Sequence, residues 1–173
     1  MQIYKLLSVL LEYPEQELID HLPELSRHVT ESHEIDRAER EALNKFIAHL
    51  SSQPLTALQQ DYVQTFDMTP EHSLHLTHHL FGDDKNRGPA LIDLGELYKD
   101  YGVQVQGNEL PDYLPLILEF AAQLGDDTEA RVFLSDAGKV FKVLTDNLKQ
   151  AGSPYAALTS IVEGRATLLR LAA

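Results

Sequence analysis

Apolar residues recur three and four positions apart along almost the whole of this chain, and strict alternation is nearly absent. That periodicity selects helices and leaves no material for a sheet. The stretch 3–13, "IYKLLSVLLEY", reads as a first helix stopped before Pro14, and 15–29 as a second that Pro23 bends or splits. A third, 36–50, opens on Asp36 with Glu39 three residues on, a capping-box start, and carries Leu43, Phe46, Ile47 and Leu50 as its stripe. Pro54 suits the first position of a fourth helix reaching Asp67. A short helix over 74–81 is followed by the loop "GDDKNRG". The next spans 89–101, with Leu91, Leu94, Tyr98 and Tyr101 on one side and Gly102 as its left-handed stop. The stretch "VQVQGNEL" reads as a loop, and 111–124 as a helix opening at Pro111. A single long amphipathic helix runs from Asp126 to Gly152, and a last one follows a Ser153-Pro154 cap nearly to the end. The expectation is an all-α, single-domain bundle of about eight helices covering residues 1–173.

Charge narrows the partners. The chain carries 14 Lys and Arg against 27 Asp and Glu, a formal net charge of −13. Such a surface repels a phosphate backbone, which argues against nucleic acid, and suits a basic peptide. There is no cysteine, so disulfide frameworks, thiolate metal sites and thiol nucleophiles are excluded. The N-terminal apolar run is short, is interrupted by Lys5 and has no small-residue cleavage site, so it is not read as a signal peptide. No stretch approaches the roughly 20 apolar residues of a membrane helix. The chain is expected to be cytoplasmic, without stable membrane insertion, and a monomer or weak dimer.

Four histidines fall within "HSLHLTHH". On one helix His72, His75 and His79 would share a face, and Asp83 or Asp84 could complete a metal shell. The helical zinc signature with a glutamate between two histidines is absent, and so is any His-Asp dipeptide. A metal-dependent all-α hydrolase centred on His75, His79 and Asp83, within the His72–Asp84 cluster, is therefore the alternative, and solvated or packing histidines the main expectation. A structural helical adaptor with another partner is a third reading. "GDDKNRG" lacks the pattern of a phosphate-cradling loop, and a self-satisfied turn leading through Arg87 into the next helix is expected.

The stretch "NELPDYLPLILEF" is apolar nearly all round, which marks a central helix. Asp112 and Glu119, seven apart, fall on one stripe with Leu116 between them. Either a salt bridge to an arginine or an acidic edge on an apolar groove follows, because a buried carboxylate must be paired or open to a cleft. An acidic edge is what a basic amphipathic helix would need. No triad, paired-carboxylate or cofactor motif is present, so the residues point to a binder and not an enzyme.

Taken together, "YVQTFD", "LHLTHHLFGDDKNRGPALIDLGELYKDYGV" and "ELPDYLPLILEF" resemble the NarJ family, the assembly chaperones of respiratory nitrate reductase, within the TorD, DmsD and NarJ group of redox-enzyme maturation chaperones. The resemblance is continuous from about Tyr62 to Phe120 and looser at both ends. It implies a helical fold without catalysis or a cofactor of its own. It implies as partner the catalytic (alpha) subunit of nitrate reductase, bound by its N-terminal leader and held for molybdenum cofactor insertion and membrane assembly. The family's blocks map onto Tyr62, Phe66 and Asp67, onto Leu74 to Gly88 (with His75, His78 and Arg87), and onto Glu109 to Pro115. By that analogy the groove lies between helices 54–66, 89–101 and 111–124. Periodicity adds Leu94, Tyr98, Leu116 and Phe120 for a leader's apolar face. Asp67, Asp93, Glu109, Asp112 and Glu119 are added for its basic residues. Chains of the family often continue into a longer acidic tail, whereas this one ends at Ala173.

Overall fold

A computed structural model describes residues 2–103 and 109–167. Among the described residues there are ten α-helices, a π-helical turn, a short 3-10 turn and no strand. The first helix, α1 (Gln2–Leu11), is buried on most of its surface through Ile3, Tyr4, Leu6, Leu7, Leu10 and Leu11. Burying each of these side chains contributes about 1.5–3 kcal/mol, which makes α1 a central pillar and not a surface helix. α2 (Gln16–Glu31) runs unbroken through Pro23, so of the bend or split expected there the split does not occur. α3 (Arg37–Ser52) begins on the predicted capping box. The Glu39 amide donates to Asp36 (2.9 Å), and the Asp36 amide donates to Glu39 (3.1 Å).

α4 (Leu55–Tyr62) passes into the π-helical turn Val63–Asp67, closed by the Met68 amide donating to the Val63 carbonyl at 3.0 Å. The 3-10 turn Pro70–His72 leads to α5 (Leu76–Phe81) and α6 (Arg87–Asp100). Gly102 stands at φ +74°, the left-handed stop its position predicts. Most of "VQVQGNEL" lies outside the described residues. α7 (Leu114–Gln123) opens three residues later than Pro111 and buries Leu114, Pro115, Ile117, Leu118, Phe120 and Ala121.

The stretch predicted as one long helix is two, α8 (Asp127–Ser135) and α9 (Gly138–Gln150). The chain turns at Asp136-Ala137, where Ala137 leaves helical geometry (φ −98°, ψ 8°), and Gly138 restarts it. Separate helices let Leu134 and Val140 both face the core. α10 (Ala156–Ala166) closes the described chain. α1 packs against α7 on one side and against α10 and α2 on others. α10 in turn packs on α3, α8 and α9. Among the described residues no helix is long and apolar enough to cross a membrane.

A buried arginine ties the far side of the bundle. Arg165 of α10 makes a two-pronged ion pair with Glu39 (2.7 Å from Nε and from Nη2) and donates to the Glu34 carbonyl at 2.8 Å. It also reaches Asp127 (3.4 Å) and lies over the Tyr4 ring at 5.6 Å. Fork geometry matched to a carboxylate is what makes a cation tolerable in a core.

Candidate functional site

The sequence blocks "LHLTHH" and "LPDYLP" are joined backbone to backbone. The Leu76 amide donates to the Asp112 carbonyl (3.1 Å), and the Leu114 amide to the Leu74 carbonyl (2.8 Å). His75 and Tyr113 thus face each other in an isolated antiparallel bridge, their rings 5.3 Å apart. The first amides of α5 find a cap from this distant strand-like piece. Asp112 accepts from the Thr77 amide (2.9 Å) and from the Thr77 hydroxyl (2.5 Å), and Arg87 Nε donates to that hydroxyl at 3.0 Å. A carboxylate on free N-terminal amides is favoured both by the hydrogen bonds and by the helix dipole.

Asp112 is therefore fully buried and is no part of an acidic edge, a correction to the sequence expectation. The seven-residue spacing to Glu119 assumed a helix through both, whereas α7 starts only at Leu114. Tyr62, Phe66, Leu74, Tyr98 and Phe120, expected at a groove surface, are also buried. Tyr62, Phe66 and Tyr155 pack edge to face, with ring centres 4.8–5.8 Å apart. Tyr98 donates its hydroxyl to the Pro111 carbonyl (2.7 Å) and stacks on Phe120. Asp67 and Asp93 are exposed, while Leu94, His78 and Arg87 are half-buried. The expected groove was to lie between α6, α4 and α7; of α6 only Tyr98 is buried.

A groove of about 1000 Å³ opens between α1, α2 and the start of α7. Its apolar floor is Leu6, Val9, Leu18, Leu25, Pro115 and Leu116, with Tyr13 and Tyr113 at one end. Six glutamates rim it: Glu12, Glu15, Glu17, Glu24, Glu109 and Glu119. Among the described lining residues Lys5 is the one lysine or arginine, and His21 and His28 stand on α2. Of the residues singled out from sequence, Glu109, Leu116 and Glu119 line this groove. His75 borders it, stacked on Tyr113 with Nε2 3.7 Å from Glu109.

Electrostatics follow from this crowding. Partial burial raises the Glu12 carboxyl, Lys5 opposes that, and Glu119 and Glu15 add to it. Burial pushes the Tyr113 hydroxyl up to about 12, helped by Glu109, Glu12 and Asp67. Tyr62 is raised further by the same cause; it donates to the Leu11 carbonyl at 2.9 Å and shares a 3.0 Å hydrogen bond with Tyr113.

The groove residues missed in the sequence had a signal. In α2 the trio Glu17, Leu18 and His21 recurs seven residues later as Glu24, Leu25 and His28. Such a repeat puts an acidic and an apolar line side by side along one helix. Nothing in that pattern says that α1 and α7 supply the opposite wall.

The histidines do not share a helical face. His72 lies in the 3-10 turn and donates from Nδ1 to the Thr65 carbonyl (3.1 Å). His75 precedes α5 in extended geometry, and His79 donates from Nε2 to the Ser73 carbonyl (2.7 Å). Burial holds His79 below the ordinary histidine value; its backbone hydrogen bond opposes that shift, and neighbouring His78 and His72 add to it. Among the described residues no three His, Asp or Glu side chains converge as a metal-holding group, so the grouping of His75, His79 and Asp83 is not assembled.

Comparison with known proteins places this geometry among relatives. Residues 32–159 match the family model described as nitrate reductase delta subunit. The chain is 34% identical over 91% of its length to the nitrate reductase molybdenum cofactor assembly chaperone NarJ of Escherichia coli (strain K12), covering 66% of that protein. It is 34% identical to the probable nitrate reductase molybdenum cofactor assembly chaperone NarW of the same strain, covering 65% of it. It is 33% identical over 92% of its length to the probable chaperone NarJ of Bacillus subtilis (strain 168), covering 85% of that protein. The chain thus spans about two thirds of the length of the E. coli relatives.

Proposed function

The chain belongs to the nitrate reductase delta subunit family, the family of NarJ, and we propose that it is an assembly chaperone for nitrate reductase. Its client is the catalytic subunit, recognised by an N-terminal leader and held in the cytoplasm until the molybdenum cofactor is inserted and the complex reaches the membrane. The chain contributes recognition and no bond chemistry, and it meets the molybdenum cofactor only through the client.

One observation carries this reading: the groove between α1, α2 and α7 combines an apolar floor with a rim of six glutamates. A basic amphipathic helix fits both features. Its apolar face would bury on Val9, Leu18, Leu25 and Leu116, between the aromatic ends Tyr13 and Tyr113. Its arginines or lysines would meet Glu12, Glu17, Glu24, Glu109 and Glu119. Helix-in-groove recognition works in this way, with apolar anchors giving affinity and charge giving register and speed of encounter. Tyr62, Phe66, Leu74, Tyr98, Asp112 and Phe120 serve from beneath, by holding the walls in place.

The test is calorimetric titration of the whole chain with a synthetic peptide of the first 15–20 residues, about 22–30 Å if helical, of the nitrate reductase catalytic subunit made by the same cell. Micromolar or tighter binding, about −8 kcal/mol or better, that weakens with salt is the expected result. Absence of heat at several temperatures would count against the leader as client.

A further inference from the structure

Lys5 stands in the acidic groove as a cation of the chain's own. It projects from α1 and pairs with Glu119 of the neighbouring α7 on the groove wall that these two helices share. Glu12, seven residues on and just past the end of α1, feels the same cation, which opposes the rise that burial and Glu119 impose on its carboxyl. Lys5 therefore sits among groove carboxylates from two neighbouring elements, Glu119 on α7 and Glu12 just past the end of α1. Both partners of the ion pair are open to water, at 52% and 40% side-chain exposure. A pair that exposed is weakly held, because solvent already screens it and each side chain loses rotamer freedom to make it.

We propose that Lys5 is a resident counter-ion which a partner's arginine or lysine displaces from Glu119, so that the groove selects helices carrying a cation at that point. This rests on the reading of the groove as a helix-binding site. With Lys5 in place the groove presents one neutralised position, and a partner lacking a cation there leaves the pair intact. A partner with an arginine there replaces a single-point ammonium by a planar fork that can reach both Glu119 and Glu12, a better match than lysine offers. The released Lys5 side chain regains its freedom and its hydration at the groove edge.

The test uses the whole chain with two peptides: the catalytic-subunit leader, and the same leader with its basic residues changed to glutamine. Lys5→Gln should bind the basic leader about three- to tenfold more tightly than the parent chain. Lys45→Gln, which changes net charge equally at an exposed position of α3 outside the groove, should leave affinity unchanged. The neutral peptide should not distinguish Lys5→Gln from the parent. Glu119→Gln should weaken binding more in the Lys5→Gln background than in the parent chain, because in the parent Glu119 exchanges one cation for another and in the variant it gains one. Equal affinities for Lys5→Gln and Lys45→Gln overturn the exchange while leaving leader binding intact. Tightening of the neutral peptide by Lys5→Gln also overturns it. Failure of the leader to bind the parent chain overturns the functional reading and the exchange together.

Discussion

The hydroxyls of Tyr62 and Tyr113 meet at 3.0 Å, joining two sequence blocks 51 residues apart behind the Tyr113 lining of the acidic groove. Tyr62 also donates to the carbonyl of Leu11, the last residue of α1. One buried phenol thus fastens α1, α4 and the entry to α7 at a common point. The two substitutions that remove a hydroxyl here are expected to differ. Tyr62→Phe leaves the Leu11 carbonyl without its donor and should cost about 1–3 kcal/mol. Tyr113→Phe leaves that bond intact and should cost under about 1 kcal/mol. Denaturant midpoints at constant slope measure both, and equal losses would contradict the assignment.

Asp112→Ala removes the cap of α5 from a position 35 residues away. The expected loss is about 2–4 kcal/mol, combining a charge-assisted bond to Thr77 with a buried amide left unpaired. The damage should be local before it is global: amide exchange at Thr77 and its α5 neighbours should speed up more than exchange in α1. Uniform acceleration across the bundle would show that Asp112 does not act as a cap.

Acid should loosen the side of the bundle held by Asp127. Partial burial works against its charge, but hydrogen bonds from Arg131 and Tyr4 and the nearby Arg165 outweigh that and hold its carboxyl below the ordinary 3.8. A depressed folded value means that the stabilisation is present above 3.8 and disappears as pH falls below it toward the folded value. Asp127→Asn should therefore lose stability at pH 7 and show a flatter stability–pH curve between pH 5 and acid. An unchanged slope would sink the assignment. Arg165→Met, which leaves the part-buried Glu39 without its cation, should cost more, about 3–5 kcal/mol.

Much of the fold was legible because local signals and tertiary packing agree. The Asp36–Glu39 box, the stop at Gly102 and the buried character of α7 all follow from residues within one or two turns of each other. The break at Asp136-Ala137 was masked because apolar spacing runs smoothly from Val132 through Phe141, and a turn of two residues hardly disturbs it. Pro23 could not be read as an intact helix position from sequence, since a missing donor and a ring clash are only tolerated where the surrounding packing holds the helix. The candidate site was less legible. Glu109, Leu116 and Glu119, singled out in the sequence, line the groove between α1, α2 and α7, but periodicity on α7 does not say which helix lies opposite. Asp112 looked like a surface acid because its partner Thr77, itself held by Arg87, is far away in sequence and only the 74–76 to 112–114 pairing brings it there.

The central claim is that the groove between α1, α2 and α7 is where a basic leader helix binds. Its most direct test compares two double variants of equal net charge by calorimetry with the catalytic-subunit leader. Glu17→Lys with Glu24→Lys reverses the acidic line of α2 inside the groove, and Glu41→Lys with Glu96→Lys does the same at exposed positions outside it. Loss of at least tenfold in affinity, about 1.4 kcal/mol, in the first variant and little change in the second is the predicted result. Equal loss in both, or none in the first, would place the leader elsewhere on the molecule.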